Sequence, residues 1–368
     1  MFIENFQKFV LILLYGGLVL QSFVVLLNPM KVNKRANFYF SIFLFLWSCF
    51  WVLDILKICE FSPNFSLIFF VNFIQIFTPV FLFFSVAFFI NPNYNFKRAD
   101  VICLIVPIIY LVLLLNSENN PTIRSIADLL SISHNLPYFI IICFRIKKYQ
   151  KRIETITSNT ENIDLKWLMR LSLLLLFTIF ITVGYELFNV FVYKMNQHLV
   201  MDLLFLGIAY STSFQVLKQK EIYPVNQKER EELLSIEFDD EQKIERKKLI
   251  PDESFEDLKS KLIALMETDK PYLDGELNLS KLSDLLQITA HQLSYLLNNG
   301  FNENFFQFVN KYRVQYAKEL LTNDSFKKFS ILGIAFEAGF NSKTSFNTIF
   351  KKMTDETPSE FRKKHSNL

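Results

Sequence analysis

Lys343, Thr344 and Asn347 open the stretch "KTSFNTIFKK", which follows a glycine break in "IAFEAGFNS". Phe346, Ile349, Phe350 and Met353 recur at helical spacing and claim the inner face, so the three polar residues face outward on the first turns. Such residues can hydrogen-bond to base edges in a major groove: asparagine pairs two-fold with adenine and lysine reaches guanine. Lys351, Lys352, Arg362, Lys363 and Lys364 are cations placed for phosphate oxygens. A second candidate set, His291, Gln292 and Tyr295, lies on "TAHQLSYLLNNGF" in an equivalent place. Arg313 leaves two readings open, a phosphate contact or an internal ion pair. Any single surface lysine is ordinarily a solvated face; it is the set that argues for an interface.

The flanking residues must position these groups. Asn278 is placed to cap a helix whose inner face is Leu279, Leu282, Leu285 and Leu286, and Gln287, Ile288 and Thr289 make the turn. Thr289 and Gln292 form a T-x-x-Q capping box opening the next helix, over 290–298. Gly300 is the expected left-handed residue that ends it, with Phe301 packing back. A longer helix, 304–321, turns Phe305, Phe308, Val309, Tyr312, Tyr316 and Leu320 inward and acts as a spacer. The pattern then repeats. Ser330 caps, Ile331, Ile334, Ala335 and Ala338 turn inward, Gly339 breaks the helix, and Ser342 caps the last one. Upstream, Phe255, Leu258, Leu262 and Leu265 mark one further amphipathic helix.

From about Lys270 to Lys364 the chain resembles the DNA-binding domain of AraC-type transcriptional regulators, in "NFFQFVNKYRVQYAKELL" and "ILGIAFEAGFNSKTSFNTIFKKMTDETPSEFRKK". The resemblance covers about a quarter of the chain. It implies two helix-turn-helix subdomains joined by a long helix, with recognition helices at 290–298 and 343–353 in successive major-groove segments of double-stranded DNA. Three positions depart from the family pattern: Asp355 stands where glycine is usual, Gly333 where alanine is, and Thr348 where arginine is common.

The first two hundred residues read differently. Seven apolar runs, 9–27, 38–58, 65–90, 101–115, 126–144, 171–193 and 199–217, approach the roughly 20 residues a spanning helix needs. Lys31, Lys34, Arg35, Lys97, Arg98, Arg145, Lys147, Lys148, Lys151, Arg152, Lys166 and Arg170 fall in alternate loops on one side, against Lys8, Lys57, Arg124 and Lys194 on the other. Lys and Arg concentrate in cytoplasmic loops. The expectation is a bacterial inner-membrane protein with its N-terminus outside and its C-terminus in the cytoplasm. No small-residue cleavage site follows the first apolar run, so that helix is expected to be retained.

Polar residues at membrane depth are expensive and mark interiors or cavities. Asp54, Gln75, His134, Glu186 and Asp202 are therefore candidates for an outward-open pocket holding a small ligand of unknown identity. The competing reading pairs Asp54 with Lys57, one turn away, and leaves Asp128 and Asp202 at the interface.

The expected fold is all-α: a polytopic bundle of about seven transmembrane helices, 1–217; a charged linker, 218–253; and a soluble helical domain with two helix-turn-helix subdomains, 254–368. The linker composition suits a tether, which permits two tails to pair as a homodimer. Cys49, Cys59, Cys103 and Cys143 lie in or beside apolar runs with no metal-ligand spacing, and neither metal nor cofactor is expected. A net charge of +3 is too small to name a partner. No nucleophile–base arrangement or phosphate-cradling loop appears, so binding, not catalysis, is the expected work. The alternatives are a receptor or transporter-like protein whose tail binds a protein partner, and a membrane part that only tethers.

Overall fold

The computed structural model describes residues 2–118, 120–191, 198–220 and 249–365, with the side chains of 186–191, 198 and 252 also outside the description. Most of the charged connecting segment, 221–248, and Lys194 lie outside the described residues. The fold is all-α. The chain divides into two compact units, one of Met1–Lys148 with Leu165–Glu221 and one of Tyr149–Asp164 with Ile222–Leu368.

In the first unit the helices are α1 (Phe2–Leu27), α2 (Lys34–Ile58), α3 (Phe65–Gln75), α4 (Thr78–Ile90), α5 (Ile105–Leu115), α6 (Pro121–Ile153, whose last residues from Tyr149 belong to the second unit), α7 (Lys166–Phe191) and α8 (His198–Lys218). They supply seven segments long and apolar enough to cross a membrane, by length and composition. The third comprises α3 and α4 together, and the fourth is α5 preceded by a 3-10 turn, Arg98–Leu104. The outer faces are apolar: Leu20 is 67% exposed, Phe23 62%, Leu129 67%, Phe144 68% and Phe180 64%. Exposed apolar side chains in this number are unfavourable in water and normal against lipid.

Inside the unit, polar groups close on one another. Ser22 donates to the Ser41 carbonyl at 2.9 Å, Ser85 to the Ala36 carbonyl at 3.1 Å, and the Trp167 indole to Gln219 Oε1 at 2.7 Å. The third segment breaks between Gln75 and Thr78. Pro79, in the first turn of α4, has no N–H to continue the ladder, and Thr78 Oγ1 bonds the Gln75 carbonyl at 2.7 Å. Helix α6 runs on past the apolar stretch: from Arg145 to Ile153 it extends about 13 Å further.

The second unit contains α9 (Asp252–Thr268), α10 (Leu279–Leu285), α11 (Ala290–Leu296), α12 (Phe305–Thr322), α13 (Ile331–Glu337), α14 (Lys343–Thr354) and α15 (Pro358–His365). Two cores form. One joins α9 to α11 and the start of α12 through Leu262, Met266, Leu279, Leu293, Phe305 and Phe308. The other joins the rest of α12 to α13 and α14 through Ala317, Leu321, Ile334, Ala335, Phe346 and Phe350. Ile156, from the 149–164 segment, is buried in the first core.

Candidate nucleic-acid interface

The caps that start the helices of both helix-turn-helix subdomains form as their residue types require. Asn278 accepts from the Lys281 N–H at 2.9 Å ahead of α10, and Ser342 from the Ser345 N–H at 3.1 Å ahead of α14. At α11 the capping box is complete: the Gln292 N–H reaches Thr289 Oγ1 at 3.2 Å, and Gln292 Oε1 accepts the Thr289 N–H at 2.9 Å. Ser330 caps α13 by accepting from the Gly333 N–H at 3.0 Å, so Gly333 lies in the first turn. Gly339 takes φ +82°, and a Cβ there would meet the Tyr272 carbonyl oxygen at 2.4 Å. Asp355 occupies the left-handed region at φ 61°, doing the work of the glycine usual there.

One termination differs from expectation. Gly300 is not left-handed; α11 passes into a π turn over Leu297–Phe301, and the left-handed residue is Asn302 at φ 54°. The wider turn lets Leu297 stay buried while the reversal moves two residues on, where asparagine tolerates positive φ.

On α14, Lys343, Thr344, Thr348, Lys351 and Lys352 are exposed, Asn347 is half-buried, and Phe346, Ile349 and Phe350 are buried beneath them. Thr348, where an arginine was expected, donates to the Thr344 carbonyl at 2.9 Å and offers no charge. Arg362 is half-buried and its Nη1 bonds the Phe329 carbonyl at 2.8 Å, tying α15 to the turn before α13. On α11, His291 and Gln292 are half-buried, and the amide oxygen of Gln292 is engaged in the cap. Tyr295 is half-buried against the first core, edge-on to Phe255 with ring centroids 6.2 Å apart. Helix α14 thus presents an exposed polar face, whereas α11 presents side chains partly committed to its own fold.

Arg313 fits neither of its two sequence readings. It is 1% exposed, and its partners are carbonyl oxygens: Nε to Tyr272 at 2.7 Å, Nη2 to Asp274 at 2.8 Å and Nη1 to Ser158 at 3.4 Å. Burial lowers its pKa to about 10, opposed by the nearby Asp274 and Glu276 carboxylates. Its guanidinium also lies 5.8 Å from the Phe340 ring centre, in the second core. Asn341, which its sequence context does not single out, spans the same joint, donating to the Gly275 carbonyl at 3.1 Å and to Glu276 Oε1 at 2.9 Å. Together these groups hold the two helix-turn-helix subdomains as one body.

In the first unit a cavity of about 260 Å³ is lined by Trp47, Trp51, Gln75, Asn135, Thr178 and Phe205 among others. Of the candidate ligand residues, Gln75 lines it, with its Nε2 donating to the Cys49 carbonyl at 2.9 Å. Asp54 does not: it pairs with Lys57 at 3.0 Å on an exposed face, as the competing reading expected. Asp202 is buried behind the cavity wall, where it accepts from the Trp51 indole at 3.0 Å. His134 is buried edge-on to Tyr138, 5.0 Å between ring centres, and is not in the lining. The Glu186 side chain lies outside the description. Besides Gln75, sequence depth selected the ionisable Asp54, His134, Glu186 and Asp202, whereas the described lining is uncharged, built of amides, hydroxyls, aromatic rings and aliphatic side chains.

Residues 282–364 match the family described as Helix-turn-helix domain. An uncharacterized HTH-type transcriptional regulator of Staphylococcus aureus strain COL is 33% identical over 87 residues, 24% of this chain and 11% of that protein. The counterpart in strain N315 gives the same figures. The uncharacterized HTH-type transcriptional regulator YijO of Escherichia coli K12 is 29% identical over 110 residues, 28% of this chain and 38% of that protein. The chain therefore spans well under half the length of these relatives. No solved structure gives a significant match. The second unit carries a helix-turn-helix domain of the AraC type, and seven apolar helices precede it in the chain.

Proposed function

We propose that this protein is a membrane-anchored regulator of transcription that binds specific double-stranded DNA through α11 and α14. The observation that carries the reading is α14: capped at its start, buried along its apolar side, and exposing Lys343, Thr344, Lys351 and Lys352 together. Asn347 sits at the edge of that face for base contact. Residues 304–368 hold 11 Lys and Arg against 6 Asp and Glu, while 251–303 hold 4 against 10, so the second reader supplies most of the attraction to phosphates. Mapping the chromosomal sites occupied by the intact protein tests this: discrete sites lost in a Lys343→Ala, Lys352→Ala variant support it, and no enrichment anywhere overturns it.

The membrane unit, in this reading, takes a small neutral ligand into its cavity. Gln75 and Asn135 each spend an amide donor on a backbone carbonyl, and their amide oxygens join a lining rich in hydroxyls and aromatic rings. A molecule with an apolar or aromatic body and one or two N–H or O–H groups fits those terms. Filling the cavity with Thr178→Trp is expected to lock transcript output at one level across growth conditions; an unchanged response would remove the ligand from the scheme.

A protein-binding tail is the second reading, and one observation favours it. Phe329, Leu332 and Phe336, spaced along α13 and the turn before it, are 41%, 39% and 53% exposed. The chromosomal map separates the two, since a purely protein-binding tail leaves no DNA footprint.

A further inference from the structure

The segment that joins α6 to α7 is built into the first helix-turn-helix subdomain. Ile156 is 2% exposed within that core. Its carbonyl accepts the Leu279 N–H at 2.8 Å, and the Glu154 carbonyl accepts the Phe306 N–H at 2.9 Å. Ser158 Oγ donates to the Leu277 carbonyl at 2.7 Å, and the Ser158 carbonyl receives Asn310 Nδ2 at 3.0 Å as well as Arg313. Thr157 and Asn278 form an antiparallel bridge. Leu279 and Phe306 are in the first turns of α10 and α12, where backbone N–H groups have no partner within their own helix. Residues 154–158 meet both needs at once, and a loop that merely connected two helices would have left them to water.

We propose that residues 154–158 are the route by which α6 and α7 act on the DNA-binding unit. The inference rests on the reading of those helices as membrane spans. The route is stiff. No glycine or proline occurs from Tyr138 to Val183. Helix α6 is continuous to Ile153, and the return to α7 is braced by Tyr149 Oη on the Ile163 carbonyl at 2.8 Å and Gln150 Nε2 on the Asp164 carbonyl at 2.9 Å. The chain enters α7 through Leu165, buried and held at φ 53°, an unfavoured conformation that slack would relax. The other connection, 218–253, has the charged composition of a tether. A tilt of either span therefore moves the residues that complete the starts of α10 and α12, which set the first reader and the spacer helix.

The test uses the full chain in nanodiscs of a short-chain (dimyristoleoyl) or a long-chain (dierucoyl) phosphatidylcholine, since bilayer thickness changes span tilt. The readout is hydrogen exchange at the Leu279 and Phe306 amides. In the native protein both amides are protected, and their rates differ between the two bilayers by about threefold or more. Ile156→Asp speeds both about tenfold in either bilayer, with Ile156→Ala as the milder variant should the aspartate unfold the unit. Gly-Ser insertions after Arg152 and after Thr160 leave 154–158 docked and the amides protected, and abolish the dependence on bilayer. Equal rates in the two bilayers for the native chain, or a dependence that survives both insertions, overturn the proposal. Neither DNA nor ligand enters the measurement: a chain that occupies no chromosomal site defeats the proposed function and leaves this result standing, and one that fails to enter nanodiscs defeats the membrane reading first.

Discussion

Arg313 shows what a buried cation can do without a carboxylate. Its donors are met by the Tyr272, Asp274 and Ser158 carbonyls, so one side chain joins the chain before α10, the 149–164 segment and α12. Arg313→Met keeps much of the volume and strips those carbonyls of a donor; about 3 kcal/mol of stability is expected to go, read from the denaturant midpoint of the second unit in the full chain. Sequence alone left this residue undecided, because a lone arginine on a mostly apolar helix face has no visible partner when that partner is backbone. The exposed face of α14 was more legible, since Phe346, Ile349 and Phe350 take its inner side. Lys343→Ala should weaken DNA binding about tenfold and flatten the salt dependence by about one ion, as measured by titration at several salt concentrations. Gln292→Ala should weaken it less while costing about 1 kcal/mol of stability, since it dismantles the box with Thr289. A larger affinity loss at Gln292 than at Lys343 would reverse the ranking of the readers.

At the scale of elements, short polar residues ahead of apolar runs located four helix starts: Asn278, Thr289, Ser330 and Ser342 cap as their spacing implies. Helix ends were less readable. Both Gly300 and Asn302 can reverse a helix, and the choice falls to packing, because holding Leu297 in the core extends the helix through a π turn. Asn302→Gly is therefore expected to be neutral or slightly stabilising, and Asn302→Ala to cost about 1 kcal/mol, compared by thermal unfolding of the two variants. The break between α3 and α4 was hidden for a similar reason: Pro79 within an apolar run signals a kink, but not that Gln75 would bond the Cys49 carbonyl and line a cavity. Ile156 was invisible as a core residue. One aliphatic side chain among "ETITSNTENID" has no periodicity, and only the three-dimensional partner makes it apolar in function.

For the whole molecule, the apolar length of seven segments and the sign of their loops were both plain in the sequence, and the exposed phenylalanines and leucines of the first unit agree with a lipid surrounding. In the proposed reading, twelve loop cations against four put the tail in the cytoplasm. An alkaline phosphatase fusion after Leu368 should be silent and a green fluorescent protein fusion bright; the opposite pattern would separate the reading helices from the genome. What composition could not reveal is that the second unit draws on residues from the middle of the chain, since a segment of 149–164 belongs to it.

The joint made by Arg313, Gly339 and Asn341 has a metrical consequence. With Asn341 seated on Gly275 and Glu276, and no room at Gly339 for even one added carbon, the two readers cannot swivel independently. In the proposed function this joint makes the protein a fixed gauge on DNA: one base pair added between the two contacted segments turns one away from its helix by about 35°, and the joint has no slack with which to follow.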